Sequence, residues 1–91
     1  MTQWYEEEVE VPNPQGFHAR PAGLVSEAAR KFDAEVVVRR DDADVNAKST
    51  IHLLTLVAEQ GARLTVRANG QDARAAVQAV VAVIRDGFGE M

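Results

Sequence analysis

The apolar residues of this chain switch between two spacings, every second residue and every third or fourth, and the order of the switches leaves few folds open. Tyr5, Val9 and Val11 fall on one face of a period-two segment while Trp4, Glu6, Glu8 and Glu10 fall on the other, as in a strand buried on one side only. Pro12-Asn13-Pro14-Gln15-Gly16 ends it as a loop. From Pro21 the spacing lengthens. Ala22, Val25, Ala29 and Phe32 make one stripe of an amphipathic helix, and Pro21 suits its first turn, where a missing N–H costs nothing. The proline also disfavours helical geometry at Arg20, which puts the helix boundary within about two residues of Pro21.

The second half repeats the alternation of spacings without repeating the sequence. Glu35-Val36-Val37-Val38-Arg39-Arg40 is rich in β-branched residues, and Asp41-Asp42-Ala43 turns it into a brief strand through Val45. Ser49 reads as the N-cap of a short helix carrying Ile51, Leu53, Leu54, Leu56 and Val57. Arg63-Leu64-Thr65-Val66-Arg67 alternates as a last strand. Asn69-Gly70 closes it, Asp72 reads as a cap, and Ala73, Val77, Val80, Val81 and Ile84 form the stripe of a final helix. The order βαββαβα favours an α+β fold: an open-faced two-layer β-sandwich, a four-stranded antiparallel sheet with three helices on one face and water on the other. At 91 residues the chain is read as a single domain spanning positions 1–91.

Such a domain buries only about 60–65% of the surface its unfolded chain exposes, so a deep catalytic cavity is not expected. A net charge of −4 argues against a nucleic-acid scaffold, which needs a basic face. With no cysteine, disulfide staples and thiolate zinc sites are excluded. The start, Met1-Thr2-Gln3-Trp4-Tyr5-Glu6-Glu7-Glu8, is acidic where a secretory signal is basic and then apolar. No apolar run approaches the ~18 residues of a membrane span, so the cytoplasm is the expected compartment.

One histidine stands where chemistry is available. His18 lies in Gly16-Phe17-His18-Ala19-Arg20-Pro21-Ala22, between the proline-rich loop and a helix start. A helix N-terminus presents unpaired N–H groups and about half a positive charge, which suits an anion. Arg20 adds a planar fork matched to phosphate oxygens. Together they suit an imidazole that takes up a phosphoryl group and holds it by charge and hydrogen bonds.

The string GFHARPA resembles the active-site signature of the HPr family, histidine phosphocarriers of the bacterial phosphoenolpyruvate-dependent phosphotransferase system. Asn46-Ala47-Lys48-Ser49 is similar to that family's regulatory-serine segment, and the likeness runs from Tyr5 to Phe88. The resemblance implies that His18 is phosphorylated on Nδ1 by phospho-enzyme I and donates to a histidine of a sugar-specific IIA component. Arg20 would contact the phosphoryl group and the partner, with backbone N–H groups near Ala19 and Arg20 holding the anion. It implies a stoichiometric carrier, not an enzyme, monomeric and without cofactor or metal. HPr kinase/phosphorylase and transcriptional regulators are further expected partners.

Ser49 then has two readings, an N-cap worth ~1 kcal/mol and a regulatory phosphosite beside the docking surface. That surface is expected to include Phe17, Ala19, Ile51 and Leu54, although Leu54 fits an ordinary core residue better. Thr50 and His52 depart from the family pattern at positions expected to face partners. His52 lacks the loop-to-helix setting of His18, which argues against a second acceptor. Asp42, Asp44 and Asn46 mimic the opening of a calcium loop, but Ala47 and Leu53 stand where glycine and glutamate are required. The N-terminal glutamates read as a solvated strand face. Two other functions fit a reactive histidine. A purely regulatory module uses the same His18, and a helical histidine phosphotransfer domain is opposed by the strand patterns at Val36–Val38 and Leu64–Val66.

Overall fold

Each period-two segment becomes a strand and each longer-spaced segment a helix in the computed structural model, which describes residues 3–90. Met1 and Thr2 of the acidic start, and Met91, lie outside the described residues. The elements run β1 (Tyr5–Glu10), α1 (Ala19–Ala29), β2 (Glu35–Arg40), β3 (Ala43–Asn46), α2 (Thr50–Leu54), β4 (Arg63–Asn69) and α3 (Ala73–Arg85), then a 3₁₀ turn at Gly87–Gly89.

The four strands form one antiparallel sheet in the order β1-β4-β2-β3. Register places Glu7, Val66, Val38 and Val45 in one row across it, and the three valines are buried. α3 lies across β1, β4 and β2, and α1 packs against α3 and α2. Val25, Ala29, Leu53, Leu64, Val80 and Ile84 belong to one continuous core between these layers. The neighbouring row on the opposite face, Glu6, Arg67, Val37 and Asn46, carries no helix. There Arg67 pairs with Glu6 and lies 4.5 Å from the centre of the Trp4 ring. Arg39 donates to both carboxylate oxygens of Asp44 across the hairpin, at 2.6 and 3.0 Å.

Several local readings need correction. α1 begins at Ala19, within the two-residue margin around Pro21, but Arg20 is helical despite preceding a proline. Asp72 sits at the N-cap of α3 but makes no capping bond; its Oδ2 accepts the Asp33 N–H at 2.8 Å and ties the helix start to the loop before β2. Leu54 is 47% exposed rather than core, because the short helix turns Leu53 inward in its place. Among the described residues no helix is long and apolar enough to cross a membrane.

Candidate functional site: the loop-to-helix histidine

The loop that carries His18 is held by the segment leading into β4. Val11 N–H donates to the Ala62 carbonyl at 2.9 Å, Gly61 N–H to the Val11 carbonyl at 2.8 Å, and Phe17 N–H to the Ala58 carbonyl at 2.8 Å. Gly16 is required at the tightest point. Its φ is +69°, and a β-carbon there would stand 2.4 Å from the Ala58 oxygen. Asn13, fully buried, closes the loop internally by donating Nδ2–H to the Gly16 carbonyl at 2.8 Å.

His18 is the N-cap residue of α1, with its carbonyl accepting the Ala22 N–H at 3.0 Å. Its side chain makes no capping bond, so the ring is free for other work and the amides of Ala19 and Arg20 lack intrahelical partners. The side chain is 37% exposed. Nε2 lies 2.8 Å from Oε2 of Glu90, while Nδ1 enters no hydrogen bond among the described residues. Asn13 Nδ2 reaches the other oxygen of the same carboxylate, again at 2.8 Å.

Glu90 arrives there through three successive left-handed residues, Gly87 (φ 69°), Phe88 (φ 60°) and Gly89 (φ 74°). Gly87 follows the helix as the residue that ends α3, a position that favours glycine. The reversal buries the Phe88 ring edge-on to Phe17, with centroids 5.5 Å apart. Phe17 is therefore 8% exposed and belongs to the core, which corrects its expected place on a docking surface. Ala19 and Arg20 are exposed. Arg20 enters no ion pair among the described residues, and its guanidinium passes over Gly89, where a β-carbon would be 3.9 Å from Nη2. Asn13, Phe88 and Glu90 are not among the site residues expected from the sequence. The Gly-Phe-Gly string directly after a helix is the signal that marks a left-handed turn there.

The second group of residues sits on α2. Ser49 Oγ accepts the His52 N–H at 3.1 Å, so the side chain caps the helix as read. Thr50, expected to face partners, instead turns its hydroxyl to Ser26, 2.6 Å away. His52 has its Nδ1 occupied, accepting the Asn46 N–H at 2.9 Å. Ile51 and Val57, each 80% exposed, flank Leu54 as an apolar strip; Val57 was not expected among the surface residues. Arg40 donates to the Val57 carbonyl and to Glu59 (Nη1 to Oε1, 2.8 Å), anchoring the end of that strip. No hydrogen bond or ion pair among the described residues joins the α2 group to His18.

Residues 5–86 match the protein family described as "PTS HPr component phosphorylation site". The chain belongs to the HPr family. Among its relatives, the phosphocarrier protein NPr of Escherichia coli K12 is 41% identical over 83 residues, covering 90% of this chain and 92% of the relative. The phosphocarrier protein HPr of Treponema pallidum is 38% identical over 82 residues, covering 90% and 93%. The crystal structure of HPr-C-His from Thermoanaerobacter tengcongensis superposes with a TM-score of 0.89 at 38% identity, covering 96% of this chain and 98% of that one. The four-stranded antiparallel sheet with three helices is thus the HPr fold, and the family supports a phosphoryl-carrier role.

Proposed function

We propose that His18 is the phosphoryl acceptor, that it is loaded on Nδ1 by phospho-enzyme I, and that it donates to sugar-specific IIA components. One observation carries this reading. The ring is partly exposed at a helix start, with Nε2 engaged by Glu90 and Nδ1 unbonded among the described residues. On loading, the Nδ1 lone pair forms a new N–P bond as the donor's N–P bond breaks and its electron pair returns to the donor nitrogen; on delivery the acceptor's nitrogen forms the new bond and the pair returns to Nδ1. Phosphoryl transfer asks mainly for alignment and charge stabilisation. The amides of Ala19 and Arg20, without intrahelical partners, and the Arg20 guanidinium, in no ion pair among the described residues, supply the charge on this side, and the partner supplies the rest. An exposed ring without a deep pocket lets two different proteins approach in turn.

On this reading the protein is a stoichiometric carrier working in the cytoplasm as a monomer, without cofactor. Ile51, Leu54 and Val57 contribute apolar contact to its partners. Ser49 is the regulatory position: phosphate on its Oγ stays compatible with a helix start and places negative charge beside that strip. HPr kinase/phosphorylase and transcriptional regulators are the partners this modification serves.

The test is intact mass after incubation with phosphoenolpyruvate and enzyme I. The wild type gains one phosphoryl group, stable in base and labile in acid, and His18→Ala gains none. A wild type that stays unmodified, or a His18→Ala protein that is modified equally, overturns the assignment.

A further inference from the structure

Two hydrogen-bond donors converge on one carboxylate at the edge of the site. Glu90 offers Oε2 to the Nε2 of His18 and Oε1 to the Nδ2 of Asn13, both at 2.8 Å, and its side chain is only 15% exposed. An ionised carboxylate accepts and cannot donate, so the His18 nitrogen facing it must carry the proton. The tautomer of an imidazole is set by the bond its other nitrogen makes. Asn13 is fully buried and uses both Nδ2 hydrogens, on the Gly16 carbonyl and on Glu90, while its Oδ1 has no partner among the described residues. Leaving a buried acceptor unpaired is costly. The orientation is fixed regardless, because both groups Asn13 touches are acceptors.

We infer that Glu90, held by Asn13, is a positioning residue that locks His18 in the Nε2–H tautomer and steadies the ring charge formed during transfer. The inference rests on the carrier reading above. With the proton on Nε2, the Nδ1 lone pair is available for attack. When the N–P bond forms at Nδ1 and Nε2 keeps its proton, the ring becomes a phosphoimidazolium. The carboxylate faces that new positive charge. On delivery the N–P bond breaks, the electron pair returns to Nδ1, and the leaving group is a neutral imidazole already in its starting tautomer. No proton has to be moved in either direction.

The charge-neutral substitution Glu90→Gln tests the lock sharply. An amide has one acceptor oxygen, which Asn13 claims, and it then presents N–H to Nε2. That reverses the bond and favours the Nδ1–H tautomer, which has no lone pair where attack is needed. Imidazole nitrogen chemical shifts of the unphosphorylated protein read the tautomer, and His52 serves as the internal reference because its own partner, Asn46 N–H, is untouched. His18 is expected as Nε2–H in the wild type, shifted toward Nδ1–H in Glu90→Gln, and mixed in Glu90→Ala, with His52 constant. Phosphoryl uptake from enzyme I should slow by about 10-fold or more in Glu90→Gln, the scale of losses when the orienting partner of a functional imidazole is removed.

Wild-type His18 protonated on Nδ1, an unchanged spectrum in Glu90→Gln, or a switched tautomer with wild-type uptake would each overturn the inference. A wild type that takes up no phosphoryl group overturns the carrier reading itself and Glu90's part in transfer with it. A normal wild type beside an indifferent Glu90→Gln overturns only the role of Glu90.

Discussion

Gly16 shows how much of this site depends on a missing side chain. Its left-handed φ and the Ala58 carbonyl both exclude a β-carbon, so Gly16→Ala meets two penalties together. Overpacking costs about 1–3 kcal/mol and the left-handed backbone about 1–2 kcal/mol, so the variant should lose about 2 kcal/mol or more in a urea titration. Phosphoryl uptake should fall too, since the same carbonyl holds the backbone next to His18. At this scale the sequence was partly legible. His18 and Arg20 announce themselves through residue type and position before a helix. Glu90 does not, because its partner lies 72 positions away and nothing local links a carboxylate to a distant imidazole. Phe17 misled for a related reason: a residue beside a reactive histidine looks like surface until Phe88 is known to cover it.

Among the elements, the β2–β3 hairpin is tied by charge as well as by its ladder. The Arg39 hydrogen bond holds the Asp44 carboxyl below its ordinary value, and the Arg40 hydrogen bond does the same for Glu59. A carboxylate depressed in the folded state contributes stability that is complete above its unfolded pKa of about 4 and disappears as pH falls through the lower folded value. Thermal midpoints of the wild type should therefore exceed those of an Arg39→Ala, Arg40→Ala double variant at pH 7, and the gap should close in acid below about pH 4. The pairs are exposed, so the gap should be small and should narrow in high salt. A gap that persists unchanged at low pH would show that the arginines act through packing. Element existence and order were readable throughout, because periodicity survives in segments this short. Helix ends were less so. Arg20 is part of α1 despite Pro21, and Asp72 spends its carboxylate on Asp33, a competition invisible in local sequence.

For the molecule as a whole, one core serves both layers, and Leu64 stands within it on β4 beneath α3, 1% exposed. Leu64→Ala should cost about 2–5 kcal/mol and lower the thermal midpoint by about 10 °C or more. Far-ultraviolet dichroism and Trp4 fluorescence, one reporting both layers and the other the uncovered sheet face, should give coincident transitions. Separated midpoints would mean that sheet and helices melt independently. The layer arrangement was legible as soon as the outer strand positions proved polar. The order β1-β4-β2-β3 was not, since spacing along the chain says nothing about which strands become neighbours.

The bonds from residues 11–17 to residues 58–62 have a mechanical meaning. Like stitches along a seam, they fasten the loop before the His18 ring to the shoulder that follows α2. On the carrier reading proposed above, a protein docking on that shoulder would meet the His18 ring at a height fixed in advance by these bonds.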